Sequence, residues 1–248
     1  MLSTGVVRKN RELNQTRPVS IELDYYDYAE GSCVVKFGKT EVICVATIDN
    51  QVPPHMRGSG KGWVTGEYGM LPRSSPERIR RERGSVSGRT QEIQRLIGRT
   101  LRSVVIQEGW GERTIQIDCD VVRADGGTRT ASITGAFVAM VQAFRTLKKD
   151  GLILNPNTPF PVKDYMSAIS VGIVDSKPLL DLEYTEDSTA ETDMNLVMTA
   201  TGNIVEIQGT AEKDPFSEAT LAELIALAKK GCSELCDLQK KLLGPLNW

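Results

Sequence analysis

Histidine is almost missing from this chain of 248 residues, where His55 stands alone. The five cysteines, Cys33, Cys44, Cys119, Cys232 and Cys236, include no CxxC pair. One histidine and no paired thiols argue against a zinc site and make reduced structural thiols the expectation. A strong charge of one sign is missing too. The formal net charge is −2, so any contact with nucleic acid has to come from a local patch. No apolar run approaches the roughly 20 residues that span a bilayer, and the opening "MLSTGVVRKNREL" has no apolar signal core. These absences lead to the expectation of a cytoplasmic protein without a membrane contact.

Hydrophobic residues make up 40% of the chain and charged residues 25%, which is ordinary for a globular protein with a substantial core. "SIELDYY", "GSCVVKFG" and "TEVICVATID" read as three strands. Residues 51–87 are rich in Gly, Pro and Arg and weakly periodic, and read as a long functional loop. Ile93, Leu96, Ile97, Leu101, Val104 and Val105 recur at helical spacing over 88–107, with Arg95, Arg99 and Arg102 on a solvated or subunit-facing stripe. "RTIQIDCDVVRAD" alternates as a half-buried strand, and 128–149 form a second helix. After the proline-punctuated "NPNTPFPV" come "SAISVGIV", "PLLDLEY", a carboxylate-rich turn, a hairpin tipped by Gly202–Asn203, and a last helix from about Ser217 to Leu243. The predicted class is α+β, in two halves of similar plan, 1–154 and 155–248.

The stretch "DCDVVRADGGTRTASITGAF" carries the first chemical signal. A strand turns on Gly126–Gly127 and enters a helix with Thr128, Arg129 and Thr130 in its first turn. Paired glycines let the backbone approach a ligand closely, and a helix start offers unpaired N–H groups and the positive end of its dipole. An arginine there can hold phosphate through two nitrogens. Together these make an anion site, against the plainer reading of a capped helix behind a tight turn. Arg89 opens the other helix away from the arginine stripe and is a candidate second arginine for the same anion, or a salt-bridge partner.

Asp181, Asp187, Glu191 and Asp193 form a carboxylate group. Near a phosphate site they call for a divalent cation such as Mg²⁺ between them, or supply a proton to a leaving oxygen; otherwise they cap and solvate a turn. The run "RSSPERIRRERG" sets Arg73, Arg78, Arg80, Arg81 and Arg83 close together. It reads as an RNA-backbone contact, a solvated loop or a subunit interface.

Seven blocks carry a resemblance across nearly the whole chain. They are "AEGSCVVKFGKTEVICVAT", "GWVTGEYGMLPR", "SGRTQEIQRLIGRTLR", "GERTIQIDCDVVRADGGTRTASITGA", "SAISVG", "LLDLEYTEDSTAETDMNLVM" and "QGTAEKDPFS". In this order they resemble bacterial ribonuclease PH, a family of phosphorolytic 3′-to-5′ exoribonucleases that trim tRNA precursors and release nucleoside diphosphates. The resemblance implies two βαβα-type subdomains with mixed sheets packed on helices. It implies inorganic phosphate as co-substrate, held by Arg89, Gly127, Thr128 and Arg129. It implies Asp181 and Asp187 as the acidic pair that holds Mg²⁺ or assists the leaving oxygen. The arginines at 73, 78, 80, 81 and 83 correspond to an RNA-binding loop, and the partners implied are RNA and further copies of the chain in a hexameric ring, a trimer of dimers. The chain departs from the family at Gly66, where alanine is usual, and in "RKNRELNQTRPV" near its N-terminus.

Overall fold

The computed structural model describes Arg8 and residues 11–82, 84–153, 155 and 157–248. The first half builds β1 (Val19–Leu23), β2 (Gly31–Phe37), β3 (Thr40–Asp49), β4 (Trp63–Met70), α1 (Gly88–Val104), β5 (Thr114–Arg123) and α2 (Thr128–Lys149). Its five strands lie in the order β1-β2-β3-β5-β4. All neighbours are antiparallel except β4 and β5, which run parallel with α1 as their crossover. The second half builds β6 (Met166–Val174), β7 (Lys177–Leu180), α3 (Tyr184–Asp187), β8 (Thr192–Thr199), β9 (Ile204–Ala211) and α4 (Glu218–Leu243). Its antiparallel sheet has the order β7-β6-β8-β9.

The architecture follows from where apolar surface has to go. α1 is amphipathic and buries Ile93, Leu96, Ile97, Leu101 and Val104. α2 is buried on nearly every side, from Thr130 to Leu147, because it lies between the two sheets. Phe137, Met140 and Phe144 on α2 share one core with Val35 and Ile117 of the first sheet and with Ile169 and Leu196 of the second. That shared core runs across the proline-punctuated connection. Ile106 and Lys163 add backbone bonds there, to Pro161 at 2.7 Å and to Val104 at 2.8 Å.

The long loop expected over 51–87 contains an eight-residue strand instead, β4. Val64, Gly66 and Tyr68 face inward, and glycines at 66 and 69 hide the alternation. Gly66 is not a loop residue: a Cβ there would come within 2.6 Å of the Ile97 Cγ2 of α1, so glycine lets helix and strand close up. The arginine stripe of α1 is only partly solvated. Arg102 donates to the Val64 carbonyl at 2.7 Å and lies 4.3 Å over the Trp63 ring, while Arg99 pairs with Glu206 of β9 at 2.5 Å. The strand expected over "PLLDLEY" stops at Leu180, where Asp181 takes a left-handed φ of 56°, and the next residues turn into α3.

Candidate active site

Each end of the cavity is made by a local sequence feature. β5 ends at Arg123, and Gly126 and Gly127 follow with φ of 75° and 65°. Left-handed backbone of this kind is cheap only for glycine. Gly127 is the N-cap of α2 and has no side chain to cap it, so the N–H groups of the first turn stay available to a ligand. The Thr128 hydroxyl lies 2.9 Å from the Tyr68 hydroxyl of β4. Burial pushes the Tyr68 phenol upward in pKa; its bond to Thr128 and the nearby Arg89 and Arg129 oppose this. Arg129 is half-buried and donates to Gln208 of β9 at 3.2 Å. Gln208 in turn donates to Glu92 at 3.0 Å, which fixes the direction of the guanidinium.

A cavity of about 560 Å³ opens at this helix start. Arg78, Arg89, Gly127, Thr128, Arg129, Asp187 and Asp193 line it together. Residues from both halves therefore converge on one space, which gathers three arginines, the start of α2 and the carboxylates of Glu77, Asp187 and Asp193. Burial raises the Asp187 carboxyl, and Arg129, Arg89 and Arg17 pull it back down. Burial first, then the neighbouring Asp187, pushes Asp193 up to about 6.

Arg89, Gly127, Thr128, Arg129 and Asp187 are thus brought together as the sequence suggests. Asp181 is not among them. It is fully buried and does not line the cavity. Its Oδ2 accepts from the Arg17 backbone N–H at 2.7 Å and from Arg17 Nε at 2.9 Å, and its Oδ1 accepts from Arg17 Nη2 at 2.7 Å. Asp181 is thus bonded to Arg17 through both carboxylate oxygens and lies outside the cavity lining that Asp187 shares. Asp193, the second residue of β8, lines the cavity with Asp187, and Asn195 follows on the same face. In the sequence it is one of several turn acids; the period of two through "TDMN" is the signal that sets it apart.

The arginine loop borders the same space. Ala124 donates to the Ser74 carbonyl at 2.7 Å and so ties the loop to the end of β5. A second cavity of about 650 Å³ is lined by Arg80 and Arg81 and shares Met70, Ile79 and Arg89 with the first. Arg73 is exposed and lines neither; Arg83 lies outside the described residues.

Two domain profiles of one family match in order. Domain 1 of the 3′ exoribonuclease family covers residues 15–145 and domain 2 covers 164–231. The chain belongs to the 3′ exoribonuclease family. It is 54% identical to proteins named ribonuclease PH from Listeria welshimeri and Listeria innocua, over 94% of this chain and 94% of each relative. It is equally similar to the ribonuclease PH of Methylorubrum populi, covering 98% of that protein. Ribonuclease PH enzymes are 3′ phosphorolytic exoribonucleases that use phosphate as a substrate, and the enzyme class of this chain follows from that membership. In fold it also resembles rice Rrp46, with a TM-score of 0.75 at 20% identity over 94% of this chain and 98% of that one. The Archaeoglobus fulgidus exosome with RNA bound to the active site gives 0.70 at 23% identity, over 92% and 90% of the two chains. Among the described residues no helix is long and apolar enough to cross a membrane.

Proposed function

We propose that the cavity at the start of α2 is where inorganic phosphate attacks the 3′-terminal linkage of tRNA precursors and other RNA. The observation that carries this reading is the convergence of Arg89, Thr128, Arg129 and the uncapped helix start on Asp187 and Asp193 in one space. Phosphate is already ionised near neutral pH, so it needs orientation more than deprotonation. Arg89, Arg129, the Thr128 hydroxyl and the N–H groups after Gly127 hold it beside the last phosphodiester. A phosphate oxygen bonds to the scissile phosphorus, the bond from phosphorus to the preceding 3′ oxygen breaks, and that oxygen takes up a proton. The products are a nucleoside diphosphate and an RNA shorter by one residue.

Asp187 and Asp193 fit Mg²⁺, which ordinarily binds through one or two carboxylates completed by phosphate oxygens and water. When bound, Mg²⁺ offsets charge on the scissile phosphate and on the departing oxygen. We assign the pair to Asp187 and Asp193 rather than to Asp181 and Asp187. Arg73, Arg78, Arg80 and Arg81 contact the RNA backbone as it approaches the cavity. The likeness in fold to an archaeal exosome core supports assembly with further copies, which we place in a hexameric ring, a trimer of dimers. Five free, buried cysteines favour a reducing, cytoplasmic setting.

Arg129→Ala tests the phosphate role: phosphate-dependent trimming should be lost while RNA affinity is largely kept. Near-normal turnover in that variant would refute the assignment. Sedimentation of the full chain tests the ring, with a mass near six copies expected and a monomer contradicting it.

A further inference from the structure

Resting on the phosphate site just proposed, we infer that Arg17 and Asp181 form a buried positioning unit that holds the phosphate-binding turn in place from behind, and that Asp181 acts through Arg17 rather than on metal or substrate. The geometry is a closed chain of contacts. Arg17 and Asp181 are 4% and 0% exposed as side chains and share one of the tightest ion pairs in the molecule, at 2.7 Å. Having used Nε and Nη2 on the carboxylate, Arg17 turns its Nη1 onto the Asp125 carbonyl at 2.5 Å. Its Nη2 also reaches the Gly126 carbonyl, at 3.4 Å. Asp125 and Gly126 are the residues immediately before the N-cap of α2.

The turn is gripped from other sides as well. The Thr40 hydroxyl donates to the Gly126 carbonyl at 2.7 Å and accepts from the Asp125 N–H at 2.9 Å. The backbone of Leu182 to Tyr184 lies so close that a Cβ on Gly126 would be 2.5 Å from the Leu182 carbonyl oxygen. Asp181 is itself pinned, through its N–H to the Ser170 carbonyl at 2.7 Å, and Ser170 lines the catalytic cavity. An acid bonded through both oxygens to an arginine that presents two N–H groups to one turn is an arrangement for orientation.

The same segment reaches the other half of the site. Arg8 and Arg11 both bond to the buried Glu186, at 2.5 Å and 3.0 Å for their closest contacts. Glu186 closes the capping box of α3 by accepting from the Glu183 N–H at 3.0 Å. Its neighbour in sequence is Asp187, which faces the cavity. Arginines from before β1 thus tie the phosphate turn, which follows the first sheet, to the acidic helix, which belongs to the second. This gives the divergent N-terminal stretch a role in keeping the two halves of the site in register.

The test measures phosphate affinity by calorimetry, the kcat and phosphate KM of trimming, and the Mg²⁺ concentration for half-maximal activity. The variants are Arg17→Lys, Asp181→Asn and Thr40→Val. Thr40→Val loosens the same turn from a side that touches neither Arg17 nor Asp181, so the proposal stays testable if the buried ion pair proves necessary for folding. All folded variants should weaken phosphate binding by about tenfold or more, with the Mg²⁺ midpoint unmoved. If Asp181→Asn moves the Mg²⁺ midpoint and leaves phosphate affinity unchanged, the acid acts on the metal and the proposal falls. Unchanged phosphate affinity in Thr40→Val and Arg17→Lys would overturn it as well. Wild-type protein that binds no phosphate would instead overturn the site assignment, and this proposal with it.

Discussion

Replacing Gly126 by alanine should damage both stability and phosphate binding, for reasons that can be separated. The residue has φ of 75°, where an L side chain costs roughly 1–2 kcal/mol, partly offset by the smaller entropy an alanine loses on folding. The added Cβ would also lie 2.5 Å from the Leu182 carbonyl oxygen, 2.8 Å from the Glu183 carbonyl carbon and 2.9 Å from the Tyr184 nitrogen. These are backbone atoms and cannot rotate away, so the turn or the chain before α3 has to move, at about 1–3 kcal/mol more. Gly58 is the control: its φ is 77°, but nothing lies within 4 Å of the Cβ position. Gly58→Ala should therefore cost only the conformational part. Urea unfolding with matched slopes should place Gly126→Ala about 2 kcal/mol below Gly58→Ala. Calorimetry should show phosphate binding at least about tenfold weaker in Gly126→Ala, consistent with displaced N–H groups, and unchanged in Gly58→Ala. Equal costs for the two variants, or a destabilised Gly126→Ala that binds phosphate normally, would refute the reasoning.

Three further expectations can be checked with the same protein. Tyr68→Phe removes one hydrogen bond to Thr128, so folding stability should fall by about 1 kcal/mol and phosphate KM should rise; an unchanged KM would show that the phenol does not orient Thr128. Asp193, raised from 3.8 to about 6 by burial and by Asp187, binds its proton more tightly folded than unfolded. Its contribution to stability is therefore present below pH 4 and lost as pH rises through 6, and each pH unit is about 1.4 kcal/mol. In cation-free buffer Asp193→Asn should be more stable than the parent by about 2–3 kcal/mol at pH 8 and equal to it at pH 4; a difference that does not depend on pH would contradict this. Changing Arg78, Arg80 and Arg81 together to alanine should weaken RNA binding and flatten its dependence on salt, each lost phosphate contact reducing the slope by about 0.7 for a single strand. An unchanged slope would remove the loop from the RNA path.

The legible parts of the site were those with local causes. A glycine pair before a helix, an arginine in its first turn and a second arginine opening α1 sit within a few residues of the structure they create. Arg89, Thr128 and Arg129 could be placed from the sequence for that reason, whereas Asp187 was set apart from the neighbouring acids only by the family resemblance. Most strands of the first half were legible as well, β1, β2 and β3 as β-branched runs between turns and β5 by its alternation, but not the order in which they pair. β4 was hidden because two of its eight positions are glycines, which blur the alternation that marks a strand. The burial of Asp181 was not legible, because its strand ends one residue earlier and Asp181 itself takes a left-handed φ. Its partner Arg17 is 164 positions away in sequence, and nothing at that distance leaves a periodic signal. The same holds for Arg8 and Glu186, so the network joining the two sheets was visible only in three dimensions.

The most direct test of the central claim uses a 3′-tailed RNA, Mg²⁺ and the full chain, with and without inorganic phosphate, and identifies the released nucleotide. Release of nucleoside diphosphate that depends on phosphate is the expected result, and gives Arg89, Arg129 and the turn at Gly126–Gly127 their purpose. Nucleoside monophosphate appearing equally in both reactions would mean hydrolysis, and would contradict phosphate as the attacking group in this cavity.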